Sequence, residues 1–267
     1  MKWVCHARPR ATSDMRFFEV ANAMKKLGQH FLVDQRVLSR IGDYASLDRD
    51  DRVLEIGPGT GNLTRVLSER AGKVYAIEVD PALAASLEGR FKNVSVLRGD
   101  ALRVPLPDYN KIVSNLPYQI SSKITFRLLE NPFDLAVLMY QREFAERMVA
   151  FPGTKEYGRL TLNASLRAEA EILEFVPRGA FRPMPAVGSA IVRLRPRESR
   201  IPVDERAFDD LTRTLFSMRR KKVKRSLAAM KVPSDILSRI DPDLLDKRPQ
   251  ELSLEEVVTL ARSISRK

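Results

Sequence analysis

RVLEIGPGTG, residues 52–61, is the stretch that decides the fold of this chain. Its first half is short and mostly apolar, which is typical of a buried strand, and its second half is a glycine-rich turn. Leu63, Val66 and Leu67 follow at the spacing of one apolar helix face. Glycines at such a turn let the backbone approach a ligand closely, and the N–H groups of the next helix point toward that ligand. The stretch therefore predicts a strand, a ligand-binding turn and a helix, although one glycine pattern alone is weak evidence.

Three more strand-like runs follow, and each leads to a polar side chain. These side chains are Glu78, Asp100 and Asn115. Ligands of open α/β sheets bind at the carboxyl ends of the strands, so we expect the three side chains to lie at one sheet edge. Glu78 is placed to accept hydrogen bonds from both hydroxyls of a ribose, the alternative being a solvated loop carboxylate. Asp100 is placed to accept a hydrogen bond from an adenine amino group.

The glycine spacing narrows the choice of ligand. Gly57, Gly59 and Gly61 are spaced G-x-G-x-G, whereas dinucleotide-binding turns use G-x-G-x-x-G. Together with the polar strand ends, this spacing favours a nucleoside-bearing cofactor without a pyrophosphate, and thus S-adenosylmethionine over NAD. An NAD oxidoreductase is an alternative, but no residue supplies an evident acid or base for hydride transfer.

The tetrad Asn115-Leu116-Pro117-Tyr118 carries the most specific chemistry. The Asn115 side-chain oxygen and the Leu116 carbonyl can both accept hydrogen bonds from one NH2 group. Pro117 fixes the turn, and Tyr118 offers a face on which a planar base can stack. The tetrad therefore suits methyl transfer to the exocyclic amine of a base, although a strand followed by a proline turn and a helix would explain it equally well.

The pattern of the next 70 residues predicts further strands and helices. It predicts a helix around residues 120–130, a strand at 134–140, helices at 141–150 and 158–168, and an antiparallel pair at 172–176 and 190–194. Between the last two strands, Pro183 and Pro185 stiffen a loop that we expect to hold Phe181 out toward solvent. There Phe181 would sandwich a flipped base against Tyr118; the alternative is a hydrophobic plug over the sheet edge.

The C-terminal part of the chain has a different composition. Residues 196–202 are polar and charged, and helical stripes and an apparent capping box at Ser253 and Glu256 follow, which predicts a small helical domain. Within it, residues 219–225 hold six basic side chains in seven positions, a pattern suited to phosphates, although such runs are usually solvated helix faces. The six are Arg219, Arg220, Lys221, Lys222, Lys224 and Arg225.

Composition restricts the classes of function. The 46 lysines and arginines against 34 acidic residues give a net charge of +12, which favours nucleic acid as the partner over an anionic membrane surface. The single cysteine, Cys5, fits a reducing compartment, and with His6 and His30 as the only histidines a zinc site is implausible. Residues 1–22 lack periodicity and predict a flexible basic extension.

Taken together, the motifs closely resemble those of the ribosomal RNA small-subunit adenine N6,N6-dimethyltransferase family, of the KsgA type. Seven similar stretches occur in family order between about residues 24 and 265. They are KKLGQHFL at 25–32, EIGPGTGNLT at 55–64, Glu78, GDAL at 99–102, NLPYQIS at 115–121, FRPMPAVGSAIVRL at 181–194 and LFSMRRKKVKRSL at 215–227.

The resemblance implies a fold and an activity. The fold is an α/β, Rossmann-like class I methyltransferase sheet of seven strands, the last antiparallel, over residues 23–198, with an all-helical RNA-binding domain at 199–267. The activity is transfer of two methyl groups from S-adenosylmethionine, without a metal, to N6 of each of two adjacent adenosines near the 3′ end of small-subunit rRNA. The expected partner is an immature small subunit in the cytoplasm, met by a monomer that also acts as an assembly checkpoint.

The resemblance also assigns roles residue by residue. Cofactor contacts correspond to His30, Leu32, Gly57, Gly59, Glu78, Asp100, Ala101 and Asn115. Catalytic and base-binding positions correspond to Asn115, Leu116, Pro117, Tyr118 and Phe181. His30 departs from the asparagine of many members, so a backbone contact there is expected and a specific side-chain contact is in doubt.

Two alternatives of different class remain at this point. An adenine-N6 methyltransferase acting on DNA uses a similar tetrad, but the basic helical tail and the ordered motifs disfavour it. A mainly non-catalytic rRNA-binding assembly factor is the second, and the intact cofactor and tetrad residues argue against it.

Overall fold

The computed structural model describes residues 30–199 and 201–265. The expected extension at residues 1–22, with Cys5 and His6, and the start of the KKLGQHFL motif lie outside these residues.

Seven strands of the described chain form one mixed sheet, in the order β4-β3-β2-β5-β6-β9-β7. Only β9 runs antiparallel to its neighbours β6 and β7, which confirms the predicted seven-stranded sheet with an antiparallel last strand. Two further short strands, β1 and β8, pair with each other beside it. The strands are β1 Phe31–Leu32, β2 Arg52–Ile56, β3 Lys73–Glu78, β4 Val94–Arg98, β5 Lys111–Asn115, β6 Leu135–Gln141, β7 Ala168–Val176, β8 Phe181–Arg182 and β9 Ser189–Pro196.

Helices cover both faces of the sheet and form the C-terminal part of the chain. Among the described residues, none of these helices is both long and apolar enough to cross a bilayer. The helices are α1 Gln35–Tyr44, α2 Asn62–Arg70, α3 Pro81–Leu87, α4 Ser121–Leu129, α5 Arg142–Met148, α6 Arg159–Arg167, α7 Glu205–Ser217, α8 Val223–Ala229, α9 Ser234–Leu237, α10 Pro242–Asp246 and α11 Leu254–Ser265.

Local side-chain chemistry sets where several helices begin. Asp34 caps α1, and Asp80 caps α3, because each carboxylate accepts hydrogen bonds from two backbone N–H groups of the first turn. Before α11, the Ser253 N–H donates to the Glu256 carboxylate at 2.9 Å and the Glu256 N–H donates to the Ser253 hydroxyl at 3.2 Å. This reciprocal pair confirms the predicted capping box.

The central strands are buried on both faces. On β2, Val53 packs into the core on one side of the sheet and Leu54 into the core on the other. Val113 and Ile112 on β5 divide in the same way, because successive strand residues point to opposite faces. Continuous apolar runs are therefore required here, and they are what made these strands visible in the sequence.

A third core belongs mainly to the C-terminal helices. Phe208 and Leu215 of α7 pack there with Leu252, but Leu162 and Leu166 of α6 also belong to this core. Helix α6 therefore contributes apolar surface to the helices beyond β9. The boundary near residue 198 stays a prediction, since this core draws on residues from both sides of it.

The expectation that Phe181 is held out in solvent is wrong. Its side chain is fully buried. Pairing of β8 with β1 sets Phe181 opposite Leu32, and the ring lies in the same core as Leu32, Val176 and Ile191. Burying a phenylalanine ring stabilises a fold by roughly 1.5–3 kcal/mol. This gain favours the buried position of the ring, even though the proline loop that follows is stiff. The alternative, a hydrophobic plug over the sheet edge, agrees with this burial, although the ring packs in the core.

Candidate active site

A cavity of about 290 Å³ opens at the carboxyl ends of β2, β3, β4 and β5. It is the edge at which open α/β sheets bind their ligands. Phe181 is absent from its lining, so the expected sandwich of a base between Phe181 and Tyr118 is not present in this conformation. The other predicted cofactor and catalytic residues all line the cavity: His30, Leu32, Gly57, Gly59, Glu78, Asp100, Ala101, Asn115, Leu116, Pro117 and Tyr118.

The glycine turn after β2 forms one wall of the cavity. Gly57 and Gly59 adopt φ angles of 67° and 57°, a left-handed conformation that other residues rarely adopt. A Cβ atom on Gly59 would lie 2.5 Å from the Phe31 ring, and one on Gly57 would lie 2.9 Å from the Pro117 ring. Glycine is therefore required here by both backbone conformation and space, and the turn keeps its backbone open to a ligand.

Glu78 joins this turn to the end of β3. The side chain is buried, one carboxylate oxygen accepts the Gly59 N–H at 3.0 Å, and the other accepts the Asp80 N–H at 3.0 Å. A carboxylate oxygen has a second lone-pair direction, so Glu78 can still accept hydrogen bonds from ligand hydroxyls. The residue thus shapes the turn and faces the cavity at once.

Glu55 is a cavity residue that the sequence did not reveal. It lies on β2, is fully buried, and its Oε2 atom has no hydrogen-bond partner among the described residues. Burial raises the pKa of the Glu55 carboxyl to about 8, and the charge of nearby Glu78 adds to the rise. An acid inside an otherwise apolar strand was the available signal for this residue.

Asp100 lies at the cavity edge after β4. Its Oδ1 atom accepts the Leu102 N–H at 2.9 Å, and its Oδ2 atom lies 3.6 Å from Nε of the exposed Arg103. Exposed ion pairs of this kind are weak, so the Oδ2 atom remains open to a stronger donor. The placement fits the expected contact with an adenine amino group.

Asn115 and Leu116 form the opposite wall, at the end of β5. The Asn115 amide Nδ2 donates to the His30 carbonyl at 3.5 Å, and the Leu116 N–H donates to the Met139 carbonyl at 3.3 Å. The Asn115 Oδ1 atom is buried and accepts no hydrogen bond from any described residue. A buried acceptor without a donor costs roughly 1–3 kcal/mol, so this atom fits a ligand that brings a donor group.

The Tyr118 ring is held beside this acceptor by its hydroxyl. That hydroxyl shares a hydrogen bond of 2.6 Å with the Ser189 Oγ atom, and Ser189 is buried at the start of β9. Burial raises the pKa of the Tyr118 phenol, so the hydroxyl stays protonated. The His30 ring lies 6.1 Å away, and its Nδ1 donates to the Pro183 carbonyl at 2.8 Å. Ser189 is a second residue that sequence reasoning missed.

The basic run at residues 219–225 is only partly free. Lys222 and Lys224 both pair with Asp246 of α10, at 3.2 and 2.8 Å. Asp246 is distant in sequence, which is why the run appeared to have no acid near it. Arg220, Lys221 and Arg225 are exposed and have no ion pair within the described part of the chain. Over the same residues, no group of three or more histidine, cysteine or acidic side chains is placed to hold a metal ion.

Comparison with known proteins agrees with this geometry. The family model described as "Ribosomal RNA adenine dimethylase" matches residues 20–262. A protein of Methanothermobacter thermautotrophicus named "Probable ribosomal RNA small subunit methyltransferase A" is 49% identical over 249 residues, 90% of each chain. One of the same name from Methanosarcina mazei is 47% identical over 88% of this chain and 91% of its own.

Two solved structures share the fold over nearly the whole chain. A dimethyladenosine transferase from Plasmodium falciparum superposes with a TM-score of 0.77 and 33% identity, covering 86% of this chain and 95% of its own. The 23S rRNA methyltransferase ErmE superposes with a TM-score of 0.66 and 30% identity, covering 88% and 100%. The sheet order, the cavity and the matched relatives agree, and the chain belongs to the ribosomal RNA adenine dimethylase family.

Proposed function

We propose that this protein transfers two methyl groups from S-adenosylmethionine to N6 of each of two adjacent adenosines near the 3′ end of small-subunit rRNA. The single observation that carries the proposal is the buried, unpaired Asn115 Oδ1 atom in the cavity wall. A buried acceptor of this kind favours a ligand that brings a hydrogen-bond donor to that point, and the adenine amino group is such a donor. The names of relatives that cover most of the chain support rRNA as the substrate.

The cavity also fits S-adenosylmethionine as the methyl donor. The left-handed glycine turn offers an open backbone, while Glu78 and Asp100 offer acceptors for ribose hydroxyls and an adenine amino group. When bound, this cofactor supplies an electrophilic methyl group on a sulfonium sulfur. The residues around it have to bind the donor and the acceptor amine in line, and such positioning is worth several orders of magnitude in rate.

The acceptor amine needs activation because its lone pair is delocalised into the adenine ring. Asn115 Oδ1 and the Leu116 carbonyl accept its two hydrogens, which draws the nitrogen toward a tetrahedral geometry and exposes the lone pair. The target base first has to leave its own stack, because a base stacked within a helix is out of reach of the methyl group. Tyr118 then stacks on the exposed base. The tetrad thus positions the amine without acting as a strong base.

The proton that leaves N6 needs no dedicated acceptor. A methylated, positively charged amine is strongly acidic, so it gives its proton to solvent or to the Leu116 carbonyl. For the second transfer the amine has one hydrogen fewer to donate, so it can donate to only one of the two acceptors, Asn115 Oδ1 or the Leu116 carbonyl.

Outside the cavity, we propose that the exposed cations of the 219–225 run hold rRNA phosphates. We propose further that the partner is an immature small subunit and that the reaction takes place in the cytoplasm. Protein cations that neutralise phosphates release counterions, so this part of the affinity falls with salt.

The test is the variant Asn115→Ala. We expect its methyl transfer to fall by at least about a hundredfold, because the amine loses its buried acceptor, while S-adenosylmethionine binding weakens only about tenfold or less. Product adenosines are measured by mass spectrometry and cofactor binding by calorimetry. Asn131→Ala, an amide at the end of α4 bonded to the Arg127 carbonyl, is the matched control. Unchanged dimethylation by Asn115→Ala would refute the proposed role.

A further inference from the structure

Phe151 is a large apolar side chain that the fold leaves in solvent. It lies between α5 and α6 and is 76% exposed, more than Val79, Phe175, Met184 or Val187. Exposing a ring of this size forgoes roughly 1.5–3 kcal/mol of burial. Single exposed apolar residues are common, so the surroundings of Phe151 decide whether it has a task.

The turn that carries Phe151 is firmly fixed. The Phe151 carbonyl accepts the Thr154 N–H at 3.2 Å and the Thr154 hydroxyl at 2.7 Å. The Gly153 N–H donates to the Gln250 carbonyl at 2.7 Å, so the turn is tied to the segment before α11. Tyr157, at the end of the same loop, is buried and donates to the Leu252 carbonyl at 2.7 Å. The backbone that carries the Phe151 ring therefore has a defined position.

The basic run adjoins this turn. Arg219 donates to the Thr154 carbonyl at 2.9 Å, so the start of the run is in direct contact with the residue that closes the turn. The next two residues, Arg220 and Lys221, are exposed, and neither has an ion pair with another described residue. Lys155 adds an exposed cation from the turn itself. The exposed aromatic ring and the cations that are free to bind an anion thus lie on adjoining segments.

An exposed ring close to free cations is a combination that binds single-stranded nucleic acid. Every base has an apolar face that stacks on an aromatic side chain, and its phosphates need neighbouring cations. An apolar protein surface would satisfy the ring but would bury Arg220 and Lys221 unpaired, which is costly.

We propose that Phe151 stacks on an unpaired base of the small-subunit rRNA while Arg220 and Lys221 bind the adjoining phosphates. This contact rests on the proposed rRNA substrate and is separate from the adenosine held at Tyr118. It gives the enzyme a second base-reading point outside the catalytic cavity.

The experiment measures the affinity of full-length variants for undermethylated small subunits between about 50 and 300 mM KCl. Over this range salt increasingly screens contacts between cations and phosphates. Phe151→Ala weakens binding about tenfold at every salt concentration, because it removes the stacking contact and leaves the phosphate contacts in place. Arg220→Ala lowers the slope of log affinity against log salt by about one. Phe151→Trp keeps the affinity of the wild type, and Phe175→Ala, which removes a half-exposed ring on β7, is the matched control.

A photo-crosslinking residue at position 151 then identifies the partner. A crosslink to rRNA supports the proposal, and a crosslink only to ribosomal protein overturns it. Wild-type affinity of Phe151→Ala beside a weakened Arg220→Ala also overturns it, while leaving the proposed rRNA substrate intact. Wild-type protein that neither binds nor methylates the subunits refutes the proposed function and this contact with it.

Discussion

At the scale of single residues, the cavity combines two buried oxygens that lack donors. Asn115 Oδ1 and Glu55 Oε2 are both unpaired among the described residues. The first was expected from its place at the end of a predicted strand, since strand ends meet at one edge. Glu55 was not, because its position within an apolar run indicated only a buried strand. A sequence shows which residues lie at a strand end, but not which lone pairs remain unused.

Ser189 and Tyr118 give the first prediction at this scale. Ser189→Ala and Tyr118→Phe each remove their shared hydrogen bond of 2.6 Å and should each lower the rate constant of methyl transfer about fivefold, because the stacking ring is less well oriented. Since both changes remove one interaction, the double variant should be no slower than the slower single variant. The measurement is single-turnover methyl transfer, with Ser86→Ala on α3 as a control. Effects that multiply would show that Ser189 acts independently of Tyr118.

Glu55 gives a prediction about stability and pH. The pKa of its carboxyl is raised from the usual 4.5 to about 8 in the folded chain. Between pH 4.5 and pH 8, the folded state therefore keeps a proton that the unfolded state has released. The free energy of unfolding therefore falls as pH rises, by up to about 1.4 kcal/mol per pH unit, and levels off above about pH 8.

The comparison for this prediction is Glu55→Gln, whose amide is neutral at every pH. Urea unfolding of both proteins between pH 5 and pH 9 should show a stability difference that grows in favour of the glutamine variant as pH rises. Titrating groups that do not interact with Glu55 cancel in the difference, whereas Glu78, whose charge acts on Glu55, cancels only in part. Parallel stability curves would mean that Glu55 is ionised in the folded protein throughout.

At the scale of elements, the apolar pattern and the helix-capping residues predicted strands and helix ends correctly. The stiffness of the proline loop led to a wrong prediction for Phe181. The strand Arg52–Ile56 was predicted with its observed bounds, because a run buried on both faces is mostly apolar. The loop after β8 was misjudged because the two-residue pairing of β8 with β1 depends on a contact between segments about 150 residues apart. Local sequence carries no signal for so short a pairing.

Phe181 provides the prediction at this scale. Phe181→Ala should lower the free energy of unfolding by about 3–5 kcal/mol, because it leaves a cavity in a core shared with Leu32. Phe181→Leu should cost about 1–2 kcal/mol, and its folded protein should retain most of its methyl transfer. Urea unfolding and activity are measured on the same samples. Wild-type stability with activity lost in Phe181→Leu would instead favour a direct stacking role.

At the scale of the whole molecule, the charge bears on the partner, and the hydrophobic cores join the C-terminal helices to the sheet that carries the cavity. A net charge of +12 predicted a polyanionic partner, but only the structure shows that Asp246 neutralises part of the basic run. Helix α6 contributes Leu162 and Leu166 to the C-terminal core and Leu160 and Ala164 to a core of the sheet, so the C-terminal helices are joined to the sheet by apolar packing. The side of the molecule that carries free cations and Phe151 is therefore held at a defined place relative to the cavity.

The most direct test of the account is the product formed on its proposed substrate. Undermethylated small subunits are incubated with the wild-type protein and S-adenosylmethionine, and the rRNA is digested and analysed by mass spectrometry. The account predicts N6,N6-dimethyladenosine at two adjacent positions near the 3′ end of the small-subunit rRNA. Absence of methylated adenosine, in subunits that a competent control enzyme does modify, would contradict it.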